Sequence, residues 1–86
     1  MIDQARVAAV EDPLQDAAWL PAVPDRGALR RAAGLTQRQV AAAVGVGRVQ
    51  VARWETGVAE PRGVRRKAYS HLLGGLVHRP ADMTSP

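Results

Sequence analysis

The sequence predicts a single all-α domain that carries a short helical extension at its N-terminus. The chain has 86 residues, which is enough for one small domain whose core is built best from local helix contacts. Its composition argues against a β-sandwich, because it has no Phe, one Tyr and a single Ile. Composition and charge divide the chain into an acidic N-terminal extension (1–24), a helical domain (25–77) and a flexible tail (78–86).

Proline residues punctuate the N-terminal extension. Asp12 followed by Pro13 is typical of a helix N-terminus, so we expect a short helix over residues 14–20 that Pro21 ends. Residues 1–11 fit either a helix or an extended arm. The extension is therefore expected to be helical in part.

The first helix of the domain is expected to begin at Asp25, whose side chain can cap it. Leu29, Ala32 and Ala33 share one face of this helix and are expected to point to the core. Gly34 suits the left-handed residue that closes a helix.

The second helix has a well-defined start at Thr36-Gln37-Arg38-Gln39, which has the spacing of a capping box. Leu35 before the cap and Val40 after it are placed to form a hydrophobic staple. The segment Gly45-Val46-Gly47 then breaks the helix. Its buried stripe is expected to consist of Val40, Ala41 and Val44.

Two further helices are predicted downstream. The third runs from Arg48 to Glu55, with Val51 and Trp54 on its inner face, and Thr56-Gly57 closes it. The last helix is expected to start at Pro61, and Gly74-Gly75 is a candidate for an early end. The apolar residues of the last helix are Val64, Ala68, Tyr69, Leu72, Leu73 and Leu76.

Charge is strongly segregated along the chain. Residues 1–25 carry a formal charge of −4, whereas residues 26–79 carry eleven Arg and Lys against Glu55 and Glu60, a formal charge of +9. A basic block of this kind is typical of a protein that binds a polyanion. The two short helices joined by a three-residue turn with glycine also form a helix-turn-helix pattern, whose second helix suits the DNA major groove.

Residues 26–73 resemble the xenobiotic-response-element type of helix-turn-helix domain, the group that includes the lambdoid phage repressors and Cro. The resemblance implies a compact bundle of four or five helices that contains the helix-turn-helix. The matching residues are Leu29-Arg30, Gly34-Leu35-Thr36-Gln37, Val40-Ala41, Val44-Gly45-Val46, Val51, Trp54-Glu55, Gly57 and Pro61.

The resemblance also implies a role for individual residues. Five residues of the third helix are expected to read base edges, namely Arg48, Val49, Gln50, Ala52 and Arg53. Four more are expected to hold DNA phosphates, namely Gln37, Arg38, Gly47 and Arg62. Gly47 stands where the family usually has Ser or Thr, so the hydroxyl contact of that position is lost.

Other prominent residues have a structural interpretation. Trp54 is expected to pack in the core, and Glu55 is expected to pair with an arginine inside the fold, with Arg30 as the candidate. Trp19 is expected to be a hydrophobic plug on the domain, with binding of a partner as the alternative. The run Arg65-Arg66-Lys67 fits either phosphate contact or a solvated helix face.

No catalytic residue, metal ligand set or cofactor motif stands out, so we expect a protein that is not an enzyme and needs no cofactor. The chain has no cysteine, and His71 and His78 do not have the spacing of a metalloprotease motif. No apolar run approaches the ~18 residues of a membrane span, and the acidic N-terminus does not resemble a signal peptide. We therefore expect a cytoplasmic protein without membrane contact.

The leading hypothesis is a sequence-specific double-stranded DNA-binding protein, a transcriptional regulator such as a repressor, that reads the major groove with helix 48–55. Such domains commonly act as homodimers, and the last helix and residues 1–24 are the candidate interface. One alternative is an antitoxin or recruitment-type module of a mobile element that binds a protein partner through residues 1–24. The other is a nucleic-acid binder without sequence preference.

Overall fold

Four α-helices make up most of residues 17–78, the part of the chain that the computed structural model describes. They are α1 (Val23–Ala32), α2 (Gln37–Val44), α3 (Arg48–Thr56) and α4 (Gly63–Val77). Residues 17–78 contain no strand, and the all-α prediction is confirmed. The expectations for residues 1–11, for the first part of the 14–20 helix and for the tail after residue 78 lie outside the described residues.

The core lies where α2, α3 and α4 meet. Trp54 of α3 and Tyr69 of α4 stack there with ring centroids 4.8 Å apart and planes tilted by 41°, an arrangement that aromatic pairs favour. The predicted inward positions of α2 and α3 are confirmed. The buried apolar residues are Val40, Ala41, Val44, Val51, Trp54, Tyr69 and Leu73.

Helix α1 begins earlier than the sequence predicts. Its N-cap is Ala22 and its first turn contains Pro24, so the prediction that Asp25 caps the helix is wrong. Proline suits a first turn because its φ is already helical and it lacks an N–H that would need a partner. Asp25 lies inside that turn, where its charge complements the helix dipole. Ala32 is exposed, contrary to prediction, because α1 turns Arg26 and Gly27 to the core instead.

The boundaries of α2 follow the predicted signals. Thr36 Oγ1 accepts a hydrogen bond from the Gln39 N–H (3.0 Å), and the Thr36 N–H donates to Gln39 Oε1 (2.8 Å), which confirms the capping box. Gly45 closes α2 with a φ of 88°. This left-handed conformation strains any residue with a Cβ, so the helix ends here.

Helix α4 starts two residues later than predicted. Pro61 is buried and not helical, and Gly63 has a φ of 59°. A positive φ cannot belong to a helix that runs on from Pro61, which is why the predicted start is wrong. Val64, expected on the apolar face, is 68 % exposed.

The predicted early end of α4 is also wrong, because the helix continues through Gly74 and Gly75 to Val77. Each glycine costs a helix about 1 kcal/mol relative to alanine. Leu73 is fully buried and Leu76 packs against the core, and this burial on both sides of the glycine pair offsets the cost.

Residues 18–22 run along α4 without helical structure, so the predicted 14–20 helix does not extend over its last residues. Leu20 packs against the core. Trp19 lies close to Gly74, where a Cβ would be 3.8 Å from the indole ring, yet it remains 52 % exposed. Trp19 therefore covers α4 only in part.

Candidate nucleic-acid interface

Helix α3 presents one face to solvent because the opposite face is buried. Val51 and Trp54 point into the core, so the residues on the other sides of the helix lie toward solvent. Val49 is 54 % exposed, Arg48 and Arg53 are exposed, and Gln50 and Ala52 are half-buried. The five residues predicted to read bases thus lie on one helix, and Val49 and Arg53, four residues apart, share its outermost face.

The four residues predicted to hold phosphates fall into two groups, on two open recesses. The α2 recess, of about 690 Å³, contains Gln37 and Arg38. The α3 recess, of about 350 Å³, contains Gly47 and Arg62. The lining of the α2 recess is completed by Arg30, Arg31, Gly34, Leu35, Thr36 and Arg48, and that of the α3 recess by Gly45, Val46, Gln50, Trp54, Glu60, Pro61 and Arg65.

The first turn of α3 belongs to both recesses. Arg48 lines the α2 recess and Gln50 lines the α3 recess. A ligand that lies along the outer face of α3 would therefore meet basic side chains on either side of the helix start.

A largely buried ion pair between α1 and α3 lies next to the residues of the α2 recess. Arg30 Nε donates to Glu55 Oε2 (2.6 Å), and Arg30 Nη2 donates to Glu55 Oε1 (3.1 Å). The two side chains are only 12 % and 8 % exposed. The predicted pairing of Glu55 with Arg30 is confirmed. Arg30 also donates to the Leu35 carbonyl (3.0 Å), which fixes its guanidinium at the turn between α1 and α2.

The hydrogen bonds continue from Glu55 to the interface. Gln37 Nε2 donates to Glu55 Oε1 (3.0 Å), and Arg48 Nη1 donates to Gln37 Oε1 (3.0 Å). We call Arg30, Glu55, Gln37 and Arg48 the Glu55 network. Since one amide hydrogen and the oxygen of Gln37 are bonded within the network, its second amide hydrogen and its backbone N–H remain for a ligand.

Electrostatics in the Glu55 network favour the charged forms. Burial acts to raise the pKa of Glu55, but the hydrogen bonds from Arg30 and Gln37 outweigh it, and the pKa lies below its ordinary value. The hydrogen bond to Glu55 raises the pKa of Arg30 despite desolvation. Burial raises the pKa of the neighbouring Tyr69 to about 12, so this phenol stays neutral.

A second network, which sequence reasoning missed, centres on Glu60. Arg26, only 5 % exposed, donates to Glu60 through Nη1 (3.1 Å) and Nη2 (3.3 Å), to the Pro21 carbonyl through Nε (2.9 Å) and to the Trp54 carbonyl (3.1 Å). Arg66 lies 3.7 Å from Glu60. We call Arg26, Glu60 and Arg66 the Glu60 network. The signal in the sequence was Glu60 itself, one of only two carboxylates in a strongly basic segment.

The run Arg65-Arg66-Lys67 suggested either phosphate contact or a solvated helix face, but Arg66 bonds to the backbone of the protein instead. Its Nε donates to the Ala18 carbonyl (2.8 Å) and its Nη1 to the Pro61 carbonyl (3.4 Å). The arginine therefore fastens residues 18–22 to the loop between α3 and α4. Its neighbours Arg65 and Lys67 are exposed.

Arg31 was given no role by the sequence, yet it lines the α2 recess together with Arg38 and Arg48. Its side chain is exposed. The signal that could have found it is its position directly after Arg30, at the last turn of α1 that leads into the start of α2. The α2 recess thus holds four arginines, one of which is neutralised by Glu55.

Residues 17–78 contain no cluster of three potential metal ligands, and no helix among them could cross a bilayer.

A family model described as Helix-turn-helix matches residues 27–75, more than half of the chain. The matched range includes α2, α3 and the lining of both recesses. No curated protein and no solved structure matches the chain.

Proposed function

The chain belongs to the helix-turn-helix family of DNA-binding domains, and from this premise we propose that it is a sequence-specific transcriptional regulator that reads duplex DNA with α3. The observation that carries the proposal is the outer face of α3, which is exposed between two recesses lined by arginine. The major groove admits one α-helix, and basic side chains on its flanks would meet the phosphates of both strands.

In this proposal the outer face of α3 carries the sequence readout. Arg53 and Arg48 suit the O6 and N7 acceptors of guanine, which a guanidinium can bind with two hydrogen bonds. Val49 and Ala52 suit the methyl group of thymine, and Gln50 suits adenine. Arg48 enters the groove already oriented, because Gln37 holds its guanidinium, and a side chain that is ordered in advance loses less entropy on binding.

The phosphate contacts come from the two recesses. At the α2 recess the backbone N–H of Gln37 lies in the first turn of a helix, where the dipole attracts an anion, and Arg38 adds a positive charge. At the α3 recess Gly47 and Arg62 serve the same purpose. We assign the chain to the Cro and lambdoid-repressor type within the family, and expect it to bind as a homodimer on two half-sites about one helical turn apart.

The experiment is selection of bound duplexes from a random pool at ~150 mM salt, because salt suppresses the sequence-independent phosphate contribution. The expected result is enrichment of an inverted repeat. Selection with Arg53→Ala should relax the preference at one base pair of each half-site and leave the others. If the wild-type protein enriches no sequence and loses binding as salt rises, it is a general nucleic-acid binder and the proposal is wrong.

A further inference from the structure

The α3 recess contains an arginine that the proposed DNA contacts do not use. Arg65, from the first turn of α4, lines the recess and donates from Nε to the Gly45 carbonyl (3.1 Å). This bond fixes the guanidinium at the turn between α2 and α3. An arginine has five N–H donors, so the Nη groups of Arg65 remain for a ligand that enters the recess.

Trp54 also lines the recess, and it carries a buried donor without an acceptor. Trp54 is 2 % exposed, and its Nε1 has no hydrogen-bond partner among residues 17–78. Buried donors are nearly always paired with a protein group or a bound molecule. Among the described residues, Glu60 is the one carboxylate that lines the recess. Its oxygens accept hydrogen bonds from Arg26 and none from the Trp54 indole.

The start of α3 adds further donors. Its N-cap is Gly47, and no side chain of the described residues caps the helix. At the start of α2, by contrast, the capping box satisfies the N–H groups of Thr36 and Gln39 and leaves that of Gln37 for a ligand. The N–H of Gln50 donates to the Gly47 carbonyl (3.1 Å). The N–H groups of Arg48 and Val49, at the start of the nine-residue α3, are open to an anion, which the positive end of the helix dipole attracts.

From these three observations we infer that the α3 recess is a phosphate site in which Arg65 is a principal ligand, beside Arg62 and the first turn of α3. The Nη groups of Arg65 and the first N–H groups of α3 are donors without acceptors, beside the buried indole N–H of Trp54, and an oxyanion supplies the acceptors that they lack. The inference rests on the proposed function to the extent that the phosphate belongs to DNA. It adds Arg65 to the contact set and makes the indole of Trp54 a reporter of occupancy.

The test compares charge at Arg65 with charge at Lys67, which is exposed on the same helix but does not line the recess. Arg65→Gln keeps a donor for the Gly45 carbonyl and removes the charge. We expect it to lower the slope of log K against log salt for a duplex by about one, while Lys67→Gln changes the slope less. Arg65→Lys keeps the charge and should keep the slope, so a folding defect would be recognised by its appearance in both Arg65 variants.

A second readout is the indole N–H resonance of Trp54 in a nitrogen-15 correlation spectrum, assigned with Trp19→Phe. Addition of duplex DNA should shift this resonance in the wild-type protein, and Arg65→Gln should reduce the shift. Inorganic phosphate is added separately. A shift with phosphate as well identifies a general oxyanion site, and a shift with duplex alone identifies a site for the DNA backbone.

Two results would overturn the inference. One is a salt slope that Arg65→Gln leaves equal to that of the wild type. The other is an indole resonance that neither duplex nor inorganic phosphate moves. A wild-type protein that binds no duplex contradicts the proposed function instead, and the response to inorganic phosphate then still decides whether the recess binds an oxyanion.

Discussion

The Glu55 and Glu60 networks are both built on glutamate–arginine ion pairs, but they connect different parts of the protein. Each joins one glutamate to an arginine of α1, and the two arginines, Arg26 and Arg30, lie four residues apart on that helix. Glu55 is 8 % exposed, and its hydrogen bonds lead through Gln37 to the interface. The Glu60 side chain is 46 % exposed, and its arginines bind backbone carbonyls. The first network orders Gln37 and Arg48 at the proposed interface, and the second holds chain segments together.

The largest expected difference between the networks is in stability. Glu55→Ala leaves the buried Arg30 guanidinium without its counterion, and breaking a buried pair typically costs ~3 to 5 kcal/mol. Glu60→Ala should cost less, about 1 to 2 kcal/mol, although Arg26 is buried, because the half-exposed position of Glu60 is open to water and Arg26 keeps two carbonyl partners. Urea unfolding of both variants measures the difference, and equal losses would contradict the distinction drawn between the networks.

A smaller loss of stability is expected at Gly27, where α1 passes close to Glu55. A Cβ at Gly27 would lie 2.9 Å from Glu55 Oε1 and 3.0 Å from Arg31 Nη1. Gly27→Ala should therefore displace the carboxylate from Arg30 and cost ~1 to 3 kcal/mol, as overpacking does. Gly75→Ala is the control, because a Cβ there meets nothing within 4 Å, and it should stabilise α4 by about 0.5 to 1 kcal/mol. Melting temperatures that shift in the same direction for Gly27→Ala and Gly75→Ala would refute this account.

The networks should also differ in their effect on DNA binding. Gln37→Ala removes the group that holds Arg48, and loss of one such hydrogen bond corresponds to ~0.5 to 1.5 kcal/mol, or about two- to tenfold in affinity. Arg66→Ala cuts the contact to the Ala18 carbonyl and should leave affinity nearly unchanged while it lowers the melting temperature. Titration of a labelled duplex at fixed salt tests both variants. A greater loss of affinity for Arg66→Ala than for Gln37→Ala would contradict the roles assigned to the two networks.

The smallest effect is a dependence of stability on pH. The pKa of Glu55 is lowered by folding, so its contribution is complete above the ordinary value of 4.5 and is lost as the pH falls through the folded value. Unfolding free energies should therefore decrease on acidification below that range. Glu55→Gln should flatten this part of the profile, and a profile identical to that of the wild type would argue against a perturbed Glu55.

Local signals predicted the part of the fold that contains the interface. The capping box at Thr36 and the glycines at 45 and 57 fix α2 and α3 by backbone conformation alone, and the inward Val51 and Trp54 determine which residues of α3 are exposed. These features depend on neighbours within four or five positions. They could therefore be inferred without knowledge of the packing.

The features that the sequence did not predict depend on distant partners. Arg26 is buried because the Trp54 carbonyl and Glu60, 28 and 34 positions away, accept its hydrogen bonds. Arg66 binds a carbonyl 48 positions away. No periodic pattern encodes such pairs. The two recesses could not be predicted from the sequence either, because the α2 recess depends on how α1 packs beside the start of α2, and the α3 recess on how the start of α4 packs beside the turn between α2 and α3.

The position of Arg26 has a practical consequence for work with fragments of this protein. One guanidinium reaches the carbonyls of Pro21 and Trp54, so the chain just before α1 and the last turn of α3 share an anchor. A fragment that begins at residue 25 keeps Arg26 but loses the Pro21 carbonyl, and one that begins at residue 27, where the family match begins, loses Arg26 itself. Expression of an isolated DNA-binding unit should therefore start upstream of Ala18, whose carbonyl is the other point of attachment.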